Sequence, residues 1–375
     1  MSLALNGICV TTILGTRPEI IRLSEIIKKL DKFTQHRLIF TSQNRESYVG
    51  QDFFQELGIR NPNVVFTNNS NSTSEYLAHV FVEIEKELIE NRPHAVVILG
   101  DTNTALTAIV ARKLGIPVYH LEAGNRSFDS NVPEEVNRKI VDHISDFNLA
   151  YSRKAEQNLL REGLSPRTSI VMGTPLNEVI RANSEKIEKS DALNRFGLTP
   201  REYFLVSAHR QENIDNPDRL GLLIRTLNEI AEEYQIPVIV SAHPRLQSKL
   251  AQGNFRAHAE VKFIQPLGFV DYCNLQTNAR IVLSDSGSVS EESALLNFKA
   301  ITIRDSMERP EALEVGSVLM SGLNPEFVKA AIKYLEMTDT KRSIPEDYEI
   351  QDSSDRVLNF LFSTHHVRDF WSGIR

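Results

Sequence analysis

Three carboxylates stand where acid and base catalysis would need them. Asp101 follows an apolar run in Leu99-Gly100-Asp101-Thr102, and Glu122 follows another in Leu121-Glu122-Ala123-Gly124-Asn125-Arg126. Glu134 opens the helical stretch Pro133-Glu134-Glu135-Val136-Asn137-Arg138. Singly, each has an ordinary structural reading. Asp101 suits a helix N-cap, Glu122 an internal salt bridge to Arg126, and paired acids in a first helical turn are favoured by the helix dipole alone. Their number is what points to chemistry, because carboxylates gathered together raise one another's pKa and serve as acid and base near neutral pH.

A second set is basic and hydroxyl-bearing. His209, with Arg210 and Glu212 in His209-Arg210-Gln211-Glu212-Asn213, and His243, in His243-Pro244-Arg245, both follow apolar runs. Asp285-Ser286-Gly287-Ser288 offers hydroxyls and N–H groups at a helix start, a cradle for pyrophosphate without a metal. Glu292 lies on that helix where an acid holds ribose hydroxyls, and Arg309 adds a cation after the next run. Gly15-Thr16-Arg17-Pro18-Glu19 joins a glycine turn and a guanidinium to another helix start, where Pro18 suits the first turn. A plain βα turn with a solvated arginine fits that stretch equally well. Neither GxGxxG nor a Walker loop occurs, and Cys9 and Cys273 lack metal-site spacing, so no nicotinamide, ATP or metal cofactor is expected.

Such residues need a frame that brings strand ends together. Apolar runs of strand length recur at 8–14, 37–41, 95–99, 118–121, 147–150 and 169–172, with segments of helical period between them, such as Ile20, Leu23, Ile27 and Leu30. The pattern restarts after the polar stretch Asn183–Ala192, at 203–207, 237–242, 261–264, 280–284, 300–303 and 317–320. This alternation indicates parallel βαβ units. The fold class expected is α/β, with two Rossmann-like doubly wound parallel-sheet domains facing a cleft, residues 1–182 and 183–355, and a helical segment 356–375 able to cross back to the first. Ligands in such sheets sit beyond the carboxyl ends of the strands.

The chain has 375 residues, 41% hydrophobic and 24% charged, with a formal net charge of −7, which leaves no general basic field for nucleic acid or anionic lipid. No secretory start or membrane-length apolar run is read, so a cytoplasmic protein without membrane insertion is expected.

Taken in order, GTRPE (15–19), GDT (100–102), HLEAGNR (120–126), PEEVNR (133–138), HRQEN (209–213), Asp285-Ser286-Gly287 with Glu291-Glu292, and ERPEA (308–312) resemble the non-hydrolysing UDP-N-acetylglucosamine 2-epimerases over nearly the whole chain. The resemblance implies a GT-B-like fold, a UDP-N-acetyl amino sugar as partner, a homodimer and no redox cofactor. It implies that a base removes the C2 proton as UDP leaves C1, and that UDP returns to the resulting 2-acetamidoglycal after protonation on the other face. Under it Asp101, Glu122 and Glu134 are the acid/base carboxylates, and His209 is a further catalytic or phosphate-stabilising group. Arg17, His243, Ser286, Gly287 and Arg309 hold the diphosphate and Glu292 the ribose; Pro18, Arg22, Arg126, Arg138, Arg210, Glu212 and Ser288 complete the substrate contacts.

The chain also departs from the family pattern. Arg22 stands where members acting on UDP-GlcNAc carry Lys, Asn125 where they carry Leu, and Ser288 alters the DSGG turn. Residues 43–46 differ from the stretch that binds a second, activating UDP-GlcNAc, which argues against allosteric activation. These departures resemble the subgroup forming UDP-N-acetyl-L-fucosamine from its 2-epimer, a 6-deoxy talosamine derivative, for capsule or O-antigen. UDP-GlcNAc/UDP-ManNAc epimerisation is the alternative, followed by a hydrolysing 2-epimerase and a GT-B glycosyltransferase; the carboxylate cluster disfavours the last.

Overall fold

The computed structural model describes residues 7–43, 53–242, 246, 249–250, 255–338, 343–371 and 373. The chain divides into two compact units, one comprising Met1–Ala182 with Glu346–Arg375 and the other Asn183–Pro345. In the first unit, strands β1 (Cys9–Leu14), β2 (Gln35–Phe40), β3 (Val64–Val65), β4 (Ala95–Leu99), β5 (Val118–Leu121), β6 (Phe147–Ala150) and β7 (Ser169–Val171) form a parallel sheet in the order β3-β2-β1-β4-β5-β6-β7. Every residue of β4 and β5 is buried, so these strands read as unbroken apolar runs rather than alternating ones. The helix Arg17–Phe33 covers the sheet with Ile20, Leu23, Ile26, Ile27 and Leu30, spaced three and four apart along one stripe. Pro18 sits in its first turn, where a missing N–H gives up no hydrogen bond.

The second unit repeats the plan. Strands β8 (Phe204–Ser207), β9 (Val238–Ser241), β10 (Val261–Ile264), β11 (Ile281–Ser284), β12 (Ala300–Thr302) and β13 (Leu319–Met320) form a parallel sheet in the order β10-β9-β8-β11-β12-β13. Both sheets are doubly wound, as the strand pattern required. In each the strand order reverses once, between β1 and β4 and between β8 and β11, and such switch points open the crevice where α/β sheets bind ligands.

One expected boundary moves. Residues 346–355 were assigned to the second domain, but the structure groups them, and the helix Ser353–Thr364 that follows, with the first unit. Asn177 Nδ2 donates to the Tyr348 carbonyl at 2.7 Å, Ser354 Oγ donates to Glu178 at 2.5 Å, and Lys29 pairs with Asp355 at 2.6 Å. Tyr119 and Thr364 share a buried hydroxyl contact of 2.7 Å at the far end of the same helix. These pairs lie 170 or more residues apart in sequence, beyond the reach of periodicity. No helix among the described residues is long and apolar enough to cross a membrane.

Candidate active site

The loops leaving β1, β4 and β5 meet at the first switch point. Gly15 follows β1 because nothing larger fits: a Cβ there would lie 2.1 Å from Thr104 Oγ1 and 2.3 Å from Thr41 Oγ1. Glu19, 2% exposed in the first turn of the helix, ties two loops together. Its Oε2 accepts from the N–H groups of Gly15 (2.8 Å) and Thr16 (2.7 Å) and from Thr16 Oγ1 (2.9 Å), while Oε1 accepts from Thr102 Oγ1 at 2.9 Å. Burial pushes its pKa up from 4.5 to about 7 against those four donors. Arg17 lies with its guanidinium 4.2 Å from the Phe53 ring centroid, and Pro18 is exposed beside it.

Asp101 enters after the left-handed Gly100 (φ 72°). Its Oδ2 accepts from Arg138 Nε at 2.8 Å and lies 2.7 Å from Nη2 of the same guanidinium, and its carbonyl accepts from Asn137 Nδ2 at 2.9 Å. Arg138 Nη1 also donates to Glu135 at 2.8 Å, and Glu135, bonded to Ser127 as well, is held below its usual pKa against the upward push of burial. Arg138 therefore orients Asp101 through a contact within the protein. Glu134 begins the same helix, Glu134–Ile144, one turn before Arg138 and so on the same face. Its Oε2 is buried and has no hydrogen-bond partner among the described residues, so the carboxylate keeps a lone-pair site uncommitted.

Glu122 has φ 65°, a left-handed conformation that costs a side-chain-bearing residue roughly 1–2 kcal/mol. Arg22, 4% exposed, brings Nε to 3.7 Å from Glu122 Oε2, and Asn125 Nδ2 donates to Oε1 at 3.4 Å. Two positions further on, Gly124 (φ 83°) would place a Cβ 2.2 Å from the Ala155 carbonyl oxygen.

Arg126, which the motif pattern puts among the substrate contacts, is committed to partners within the protein. It is 2% exposed; Nε and Nη2 bind the two oxygens of Glu162 at 2.8 and 2.6 Å, and Nη1 donates to Asp142 at 2.7 Å and to the Asn125 carbonyl at 2.8 Å. Asp142 also accepts the Gly124 N–H at 3.2 Å and lies 3.0 Å from His120 Nδ1, whose Nε2 lies 2.8 Å from the Gly100 carbonyl oxygen. The sequence reading gave no role to Glu19, His120 or Asp142, although the GTRPE and HLEAG motifs contain the first two.

In the second unit the loops after β8 and β11 meet at the other switch point. Asp285, fully buried, accepts the N–H groups of His209 (3.1 Å) and Arg210 (3.0 Å) and Nδ2 of Asn213 (3.0 Å), which fixes the first turn after β8. The His209 side chain is 46% exposed, with Nδ1 3.2 Å from Asp285 Oδ1. Arg210 Nε donates to the Asp285 carbonyl at 3.1 Å and Nη2 to Glu308 at 3.3 Å, so part of its donor set serves the fold. Ser286 and Ser288 hydroxyls lie 2.9 Å apart on either side of Gly287, ahead of the helix Val289–Leu296. A Cβ at Gly287 would stand 3.0 Å from Arg309 Nη1, so this guanidinium lies against the turn, with Nε 3.3 Å from the buried Glu291. Glu292 accepts from Gln276 Nε2 at 2.6 Å. His243, like 44–46 of the departing stretch, lies outside the described residues, as does the Glu212 side chain. Among the described residues no group of His, Cys, Asp or Glu is arranged to hold a metal ion.

Two doubly wound sheets, acid-bearing loops on one and a serine-glycine turn with an arginine on the other, define a nucleotide-sugar enzyme of the kind the motifs resemble, and comparison gives the family. The chain belongs to the UDP-N-acetylglucosamine 2-epimerase family, whose model matches residues 28–362, and is a carbohydrate epimerase. It is similar to the UDP-N-acetylglucosamine 2-epimerase structure from Rickettsia bellii, with a TM-score of 0.90, 38% identity, and coverage of 96% of this chain and 98% of that one. The Methanocaldococcus jannaschii UDP-GlcNAc 2-epimerase in complex with UDP-GlcNAc and UDP gives a TM-score of 0.89 at 37% identity, covering 95% of this chain and 99% of that one. A UDP-2,3-diacetamido-2,3-dideoxy-D-glucuronate 2-epimerase from Pseudomonas aeruginosa is 28% identical over 94% of this chain and 99% of its own length.

Proposed function

We propose that the chain is a non-hydrolysing UDP-N-acetylhexosamine 2-epimerase, a cytoplasmic homodimer that interconverts UDP-2-acetamido-2,6-dideoxy-L-talose and UDP-N-acetyl-L-fucosamine for surface polysaccharide. The observation that carries the chemistry is the pairing of an oriented carboxylate with an uncommitted one: Asp101 gripped by Arg138, and the buried, unpartnered oxygen of Glu134 one turn away. A base takes the C2 proton, its electron pair forms the C1–C2 double bond, and the C1–O bond breaks with its electrons leaving on UDP. A second carboxylic acid then protonates C2 from the opposite face as the UDP oxygen returns to C1. Asp101, Glu122 and Glu134 exchange these protons. The Ser286-Gly287-Ser288 turn with Arg309, and His209, hold the diphosphate during its separation from the sugar; Arg17 joins them, and Glu292 takes the ribose.

The sugar assignment draws on the departures from the family pattern. Arg22 and Asn125 converge on opposite oxygens of one carboxylate, Glu122, so the exchanges for Lys and Leu change the surroundings of a single proton-transfer group. UDP-GlcNAc is the second reading, favoured by the 37% identity to the archaeal enzyme solved with UDP-GlcNAc.

Incubation of each sugar nucleotide in deuterated water, followed by NMR at C2, tests both. The expected result is deuterium at C2 with UDP still attached, faster for the 6-deoxy L-sugar. Free UDP as the main product means hydrolysis, and absence of exchange with either sugar refutes the epimerase mechanism. Asp101→Asn should cut turnover by about 10²–10⁴-fold with UDP affinity retained.

A further inference from the structure

We propose that the buried pair His120–Asp142 is the positioning unit of the acid/base site, clamping the Asp101 turn and the Glu122 loop in one register; this rests on the reading of those two carboxylates as proton-transfer groups. Both loops pivot on left-handed glycines, Gly100 (φ 72°) and Gly124 (φ 83°), which have no side chain to fix them. The pair grips the backbone of each. His120 Nε2 meets the Gly100 carbonyl at 2.8 Å, immediately before Asp101, and Asp142 accepts the Gly124 N–H at 3.2 Å, two residues after Glu122. His120 Nδ1 and Asp142 Oδ1, 3.0 Å apart, close the link. One carboxylate thus holds the β5 loop directly and the β4 turn through an imidazole.

The clamp is rigid because it is closed to water. His120 is 1% exposed and Asp142 0%. A carbonyl only accepts, so Nε2 carries a hydrogen, while Nδ1 lies 3.0 Å from the carboxylate as an ion-pair contact without the alignment of a hydrogen bond. Burial pushes the imidazole pKa down, but the contact with Asp142, its charge, the Gly100 carbonyl and the nearby Glu122 leave it raised. Arg126 braces Asp142 from the other side and is itself held by Glu162, which keeps the carboxylate from turning toward the site. Neither His120 nor Asp142 needs to touch substrate: a displacement of about 1 Å at a reacting carboxylate costs on the order of 10²-fold in rate.

The test compares two variants with the wild-type enzyme. His120→Leu removes the grip on Gly100 and the link to Asp142, and so uncouples the β4 turn from the β5 loop that Asp142 still holds. Asp142→Asn keeps the shape, because its amide oxygen still accepts from Gly124 and its NH2 donates to a neutral His120. Expected are a loss of about 10²-fold in kcat for His120→Leu, with KM and the UDP dissociation constant within about threefold, and near-wild-type kcat for Asp142→Asn. A role in stability alone would lower the melting temperature and leave kcat per folded molecule unchanged. If His120→Leu does not fold, His120→Gln, which keeps the Gly100 grip but loses the link to Asp142, carries the measurement with a loss of about tenfold. Wild-type kcat in folded His120→Leu or His120→Gln overturns the clamp. Asp101→Asn assayed alongside separates the two failures: if it is inactive while the His120 variants are not, the clamp falls and the acid/base assignment stands; if it turns over normally, both fall.

Discussion

Replacing Glu19 by Gln should make the first unit more stable above neutrality. In the folded chain the Glu19 carboxyl titrates at about 7 because burial outweighs its four hydrogen bonds, against an ordinary value of 4.5 when the chain is unfolded. Between those values the folded state holds a proton that the unfolded state has shed. The stability that Glu19 lends is therefore fully present below pH 4.5 and lost as pH rises through 7. At ~1.36 kcal/mol per pH unit the interval comes to about 3 kcal/mol. Glutamine fits the same place: its oxygen takes the Gly15 and Thr16 N–H groups, and its NH2 meets the Thr102 hydroxyl, which can accept. Wild type and variant should differ by no more than about 1 kcal/mol at pH 4.5, whereas at pH 8.5 the variant should lead by about 2–3 kcal/mol. Urea unfolding reads this out through Trp371, the chain's one tryptophan, which lies in the first unit. Other groups titrate in both proteins and cancel in the difference. Parallel stability curves for the two proteins, or a variant that is the weaker at pH 8.5, would refute the reasoning.

Other perturbations probe the packing behind the site. Arg126→Met strips the guanidinium from the buried Asp142 and should cost about 3–5 kcal/mol; UDP titration of the folded variant should show unchanged affinity, whereas a substrate contact would weaken it. Gly124→Ala drives a Cβ to within 2.2 Å of the Ala155 carbonyl at a φ of 83°, and a loss of at least about 2 kcal/mol in unfolding free energy, measured by urea denaturation, is expected.

Much of the frame was legible because the signals are local. Unbroken apolar runs such as Ala95–Leu99 announce strands buried on both faces, and the glycines that end them mark the turns where Asp101 and Glu122 appear. Val64–Val65, two residues long, is too short to carry a pattern. What local signals omit is direction. Arg126 and Arg138 read as cations near a site, yet both are consumed by carboxylates 16 to 37 residues away, Asp142, Glu162 and Asp101. The roles of Glu19 and His120 were hidden for the same reason, since their partners come from other elements, Thr102 from the loop after β4 and Asp142 from the helix Glu134–Ile144. Ion pairing at long sequence separation depends on the strand order, which a single sequence does not display.

The return of Glu346–Arg375 to the first unit has a consequence for synthesis. The second unit is one uninterrupted stretch, Asn183–Pro345, so all its strands leave the ribosome together and it can complete its core at once. The first unit begins earlier and finishes last: the face of Arg17–Phe33 and the hydroxyl of Tyr119 wait for Ser353–Thr364. The nascent chain thus carries an open apolar seam across the half that bears the carboxylates until Ser353–Thr364 emerges, and that half completes its core after Asn183–Pro345 although it is begun first.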